Sequence, residues 1–85
     1  INPHVLDLIN LRSDHVIAYI GCPASWVNHS LLQLNVRNRY GVHVLAIYRD
    51  DEMIMDLNAH TVFEQGDSLL VMGHRDQVAE VEGLK

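Results

Sequence analysis

Cysteine is nearly missing from this chain. Cys22 stands alone, which excludes an internal disulfide and any zinc-finger spacing. A single thiol fits a reducing compartment. Long apolar runs are missing too. The stretches "VIAYIGC" and "VHVLAIY" fall far short of a bilayer span, so no direct insertion into a membrane is expected. No charged-then-apolar leader opens the chain, so no signal peptide is expected. The first residue is Ile1 rather than Met, and the chain is read as a piece of something longer. Positive charge is scarce: six Lys and Arg against eleven Asp and Glu give a net charge of −5. That balance disfavours nucleic-acid polymers and anionic lipid surfaces, both of which need cationic partners.

The usual signatures of chemistry are absent as well. Six histidines (His4, His15, His29, His43, His60 and His74) are scattered without an H-x-x-x-H pair, and a metal needs three or four converging ligands; no metal site is expected. Cys22, Ser25 and Ser30 have no G-x-S-x-G elbow and no evident base. Asp50, Asp51 and Glu52 read as a solvated hairpin tip rather than a convergent acid–base pair. The glycines are isolated, so no phosphate-cradling loop forms. There is no internal repeat. These gaps argue against an enzyme.

What is present suits one small domain. Eighty-five residues with 48% apolar and 20% charged content make a thin core rather than a deep cleft. "NPHVLDLINLR" places Val5, Leu8, Ile9 and Leu11 near one helical face, with Pro3 in a first turn; residues 1–14 are read as a short helix or a linker from an upstream region, and 15–85 as the domain. "HVIAYIG" is a strand closed by Gly21 and Pro23. "CPASWVN" is a loop in which Trp26 packs over the core or offers a stacking surface. Ser30 and Gln33 form a capping-box pattern that opens a helix running to Gly41. "VHVLAIYR" and "MIMDL" make a hairpin about the "DDE" turn, "SLLVMG" follows the Gly66-Asp67 turn as another strand, and "HRDQVAEVEGL" is a closing helix with Val78 and Val81 inward. The expected class is α+β: a small antiparallel β-sheet with helices on one face. The strands hold more Val, Ile and Leu than one thin core needs, which points to a homodimer.

One segment departs from the acidic whole. From Leu31 to Arg49 there is no Asp or Glu, while Arg37, Arg39 and Arg49 fall within it. Basic residues at a helix C-terminus complement the macrodipole, and that alone accounts for Arg37 and Arg39. A second reading weighs their setting. Leu31, Leu32, Val42 and Val44 are apolar walls for a flat ring. Asn35, Asn38 and His43 are polar groups for ring edges, and a guanidinium grips phosphate bidentately. The combination suits a nucleotide.

The run Ser30, Leu31, Leu34, Val36, Arg37, Tyr40, Gly41, Val42, Val44, Ala46, Ile47, followed by Gly66, Asp67, Leu69, Val71 and Gly73, resembles the C-terminal RCK domain, also called the TrkA-C domain. The likeness runs from His15 to Leu84 and leans towards the gating subunits of Ktr-type potassium uptake systems. It implies a dimeric TrkA-C-like fold on the cytoplasmic side, peripheral to or tethered to the inner face of the membrane. It implies a potassium channel or transporter subunit, or an attached transporter domain, as partner. It implies a regulatory role in potassium or cation transport, with no catalysis. In some members cyclic di-AMP binds at the dimer interface. The resemblance then implies Arg37 as the phosphate contact, Leu31 and Leu32 as aliphatic covers for the adenines and Val44 as the aliphatic residue opening the strand, while His43 stands where the family often has Asn and so departs from its pattern. No other cofactor is implied. The alternative function is a ligand-free dimerisation module coupling a nucleotide-binding domain to a transporter.

Overall fold

A computed structural model of the chain describes residues 5–10 and 14–85. The elements run β1 (Val5–Asn10), β2 (His15–Gly21), a 3-10 turn (Ala24–Trp26), α1 (Leu31–Leu34), α2 (Val36–Tyr40), β3 (His43–Arg49), β4 (Glu52–Ile54), β5 (Ser68–His74) and α3 (Arg75–Glu82). The strands form one sheet in the order β1-β2-β5-β3-β4, and every pairing is antiparallel.

The sheet has two different faces, as alternation in a strand requires. Val16, Ala18 and Ile20 on β2, and Leu69, Val71 and Gly73 on β5, are buried. Val78 and Val81 of α3 close over the same face. The residues between them (Ile17, Tyr19, Leu70, Met72) are half-buried on the other side. Helices therefore cover one face only, the arrangement of the expected α+β class. Trp26 and Phe63 are the largest fully buried side chains, and the indole lies 5.5 Å from both the Tyr40 and the Phe63 rings. Trp26 is a core residue at 1% exposure, so it offers no stacking surface to a ligand.

Three expectations change. Residues 5–10 are a strand rather than a helix: β1 lies along β2, with Ile9 opposite Ile17 and Asn10 opposite Val16. A short apolar run satisfies either period, and the open edge of β2 supplies the backbone partners that decide it. The Pro3 and Leu11 parts of that expectation lie outside the described residues. The helix expected from Ser30 to Gly41 is broken in two at Asn35, whose backbone is left-handed at φ 49°. The second hairpin strand covers only Glu52–Ile54, shorter than "MIMDL" suggests. Among the described residues no helix is long and apolar enough to cross a membrane.

Candidate functional site

The site is built outward from Ser30. Its hydroxyl accepts the Gln33 N–H (3.1 Å), and its own N–H donates to Gln33 Oε1 (2.9 Å), the reciprocal cap that starts a helix. The next free N–H groups of α1 are satisfied from outside. Leu31 N donates to Thr61 O and Leu32 N to Ala59 O, both at 3.0 Å. That loop is itself fixed: Asn58 N donates to Thr61 Oγ1 and His60 N to Asn58 Oδ1. The orphan donors of a helix start thus carry Ala59 to the rim of α1.

Asn35 then turns the chain. It caps α1 by donating its N–H to Leu31 O and Leu32 O while starting α2. Asparagine tolerates the left-handed region better than other residues with a side chain. Gly41 ends α2 with φ 74°, and a Cβ there would run into the Gln77 side chain. The two reversals bring the start of β3 back alongside α1.

Between them lies an open cavity of about 450 Å³, lined by Leu31, Leu32, Asn35, Val36, Arg37, Asn38, Val42, His43, Val44 and Ala59. All seven residues singled out from the sequence (Leu31, Leu32, Asn35, Arg37, Asn38, His43 and Val44) lie on it. Val42, also read from the sequence as an apolar wall, lines it too, whereas Val36 and Ala59 were not named for the site. Val36 is a buried residue adjacent in sequence to named positions, and Ala59 arrives through backbone carbonyls that leave no mark in the sequence. The volume lies within the range of small-molecule sites, which combine apolar walls with a few polar groups.

Its electrostatics are one-sided. Among the described residues no carboxylate lines the cavity. Arg37 is exposed on α2. Asn38 Nδ2 donates to Asn35 Oδ1 at 2.9 Å, which leaves the Asn35 amide as donor and the Asn38 carbonyl as acceptor toward a guest. Arg39 lies over the Tyr40 ring at 5.4 Å and does not line the cavity.

Arg49 has another use. Its Nε and Nη2 each reach the Asp67 carboxylate at 2.8 Å, Nη1 meets Glu64 at 2.9 Å, and Nη2 also donates to Val62 O at 3.1 Å. Asp67 is 3% exposed. Burial pushes its carboxyl upward, but the Arg49 hydrogen bond, the Glu64 N–H and the Arg49 charge together outweigh burial, and the net displacement is downward. The Asp67 hydrogen bond is the main reason that Arg49 is held more tightly protonated. Of the three arginines in the acid-free segment, one serves the fold.

Cys22 is half-buried, and burial first, then the Asp67 charge, push its thiol up to about 12. It is a poor nucleophile there. Among the described residues no group of three or more His, Cys, Asp or Glu converges to hold a metal.

Against known proteins, the family description TrkA-C domain matches residues 15–84. The Ktr system potassium uptake protein C of Bacillus subtilis (strain 168) is 30% identical over 82 residues, 96% of this chain and 37% of that protein. The chain thus spans a little over a third of that relative. Among solved structures, the RCK C domain of the potassium transport protein KtrA in complex with cyclic diadenosine monophosphate matches with TM-score 0.74 and 29% identity, covering 81% of each chain. The RCK_C domain dimer of S. agalactiae BusR in complex with c-di-AMP matches with TM-score 0.65 and 25% identity over 74% of this chain and 84% of that one. Fold, motif and match agree, and the chain belongs to the TrkA-C domain family.

Proposed function

We propose that this domain is a cytoplasmic sensor without chemistry of its own. Residues 15–85 form the sensing unit, with β1 paired along the β2 edge of its sheet. Two copies pair, and the cavity beside Arg37 receives a dinucleotide anion, cyclic di-AMP. The pair passes the binding event to a potassium channel or transporter, or to a cation antiporter, at the inner face of the membrane. The observation that carries this reading is the cavity: Leu31, Leu32 and Val44 give apolar walls, Asn35 and Asn38 give amide edges, Arg37 gives a permanent cation, and no carboxylate opposes it. Two relatives of the same fold carry this ligand in their structures. The open volume favours a ligand-bearing domain over a ligand-free dimerisation module, whose groove its own side chains would fill.

The mechanism needs only differential affinity. A ligand that binds the paired arrangement better than the alternative shifts the population toward it, by no more than that difference. Titration calorimetry of the 85-residue chain with cyclic di-AMP tests the site. We expect saturable heat at submillimolar ligand, and a loss of about 2 kcal/mol of binding free energy in Arg37→Ala, a charge-assisted contact's worth. Unchanged binding by Arg37→Ala, with the fold intact by circular dichroism, rejects the assigned site.

A further inference from the structure

We infer that the main chain of Val44 pairs with the edge of a purine base in the cavity, its N–H donating to a ring nitrogen and its C=O accepting from an amino group. The inference rests on the reading of the cavity as a dinucleotide site and assigns the group that orients the ring.

The sheet leaves half of β3 open. β3 lies between β5 and β4, but β4 pairs only with Ile47, Tyr48 and Arg49. From His43 to Ala46, β3 therefore has β5 on one side and, among the described residues, no strand on the other. At such an edge alternate residues turn their N–H and C=O outward without a partner. The hairpin identifies the residue concerned. Asp50 and Asp51 are both left-handed, at φ 51° and 62°, the tight turn in which Arg49 and Glu52 exchange the closing hydrogen bonds. Arg49 thus directs its main chain to β4, and Tyr48 directs its own to Ser68 of β5. Along β5 the pairs then alternate: Ser68, Leu70 and Met72 exchange bonds with β3, whereas Leu69 and Val71 do not. Val44 stands opposite Val71, across the bulge that separates it from Ala46. Its N–H and C=O consequently point away from β5, to the open edge. Among the described residues no turn, loop or cap main-chain bond reaches Val44.

That edge opens on the cavity. His43 and Val44 line it from β3, and Ala59 lines it from the chain that leaves β4, so the cavity occupies the side of β3 that β4 vacates. Val44 is half-buried, and an unpaired donor and acceptor shielded from water are costly unless a guest meets them. An adenine edge presents a ring-nitrogen acceptor beside an amino donor, the complement of one residue's N–H and C=O. Leu31 and Leu32 then cover the faces of the ring while the main chain fixes its orientation, the division of labour usual in small-molecule sites. A main-chain contact also has no side-chain signature, so the sequence carries no mark of it.

Proline separates the groups, because an outward N–H on an edge is the one that a strand can lose without breaking its ladder. Val44→Pro is compared with Val44→Ala, which trims the side chain and keeps the N–H. Calorimetry of the 85-residue chain with cyclic di-AMP should find Val44→Pro about 3- to 10-fold weaker than Val44→Ala, one hydrogen bond's worth, while both keep the circular dichroism of the wild type. Equal affinities overturn the inference and leave the site reading intact. Amide hydrogen exchange on the unmodified chain decides the point even if Val44→Pro does not fold. The Val44 amide should exchange quickly in the free domain and become protected at saturating cyclic di-AMP. Slow exchange in the free domain, or no added protection in the complex, overturns the inference alone. No binding of cyclic di-AMP by the wild type overturns the inference and the site reading together.

Discussion

At the scale of single residues, two arginines of one segment illustrate how the same side chain is assigned by its surroundings. Arg37 stands exposed on a wall without acids, whereas Arg49 is clasped by a nearly buried carboxylate eighteen residues further along. Nothing in the local sequence separates them; the pairing becomes visible only when β3 and the Gly66-Asp67 turn meet. Asp67 also accepts the N–H of Glu64 at 2.9 Å, so its removal takes from Arg49 its two-pronged partner and strands a backbone donor. Asp67→Asn is expected to lower stability at pH 7 by about 2 kcal/mol, below the full figure for a buried pair because Arg49 retains some solvent. The pH dependence follows from the depressed Asp67 carboxyl. A carboxylate whose pKa is lower in the folded state stabilises the fold above its unfolded pKa, and that contribution fades as acid protonates it in the fold. Urea midpoints measured from pH 7 down to pH 3 check this: the wild type loses stability toward the acid end more steeply than Asp67→Asn.

At the scale of elements, the strands and the closing helix were legible because period-two and capping signals are local: Val16, Ala18 and Ile20 alternate inward, and Ser30 with Gln33 makes the predicted reciprocal cap. Two features were not legible, for opposite reasons. β1 owes its form to a neighbour, the edge of β2, whose pull has no trace in "VLDLIN". The break at Asn35 is local but silent, since one asparagine within a helical pattern signals a left-handed residue no more than it signals a polar surface position. Yet this break aims the site, because Asn35 joins α1 to α2 and its side chain accepts from Asn38. Its two roles separate by substitution. Asn35→Gly keeps the left-handed backbone and removes the amide, so thermal stability should stay near wild type while affinity for cyclic di-AMP falls. Asn35→Ala removes the amide and strains the backbone, and should in addition lose about 1 kcal/mol of stability. Thermal denaturation beside calorimetry for both variants checks the separation; equal stabilities of the two variants would show that the turn carries no backbone demand.

At the scale of the whole molecule, all seven site positions read from the sequence line one cavity because they belong to a single contiguous hairpin of chain, helix to turn to strand. A contribution from a distant loop, here Ala59, escaped for lack of that contiguity. The same cavity is open, and Leu32 at its rim is 63% exposed, an apolar side chain that gains nothing from water. A second copy placed over this rim would bury Leu32 and enclose the guest, so pairing and ligand binding become one linked equilibrium. Leu32→Asp is the sharpest probe of that linkage. The residue contributes little to the monomer's own core, so the variant should fold as the wild type does. Its self-association should weaken by about tenfold or more through loss of buried apolar area and the introduction of facing carboxylates. Ligand affinity should fall with it. Sedimentation velocity with and without cyclic di-AMP reads both effects: the wild type shifts toward the dimer as ligand is added, whereas Leu32→Asp stays monomeric at concentrations where the wild type pairs. A wild type that remains monomeric while saturated with ligand would break the linkage and leave the cavity as a site complete within one copy.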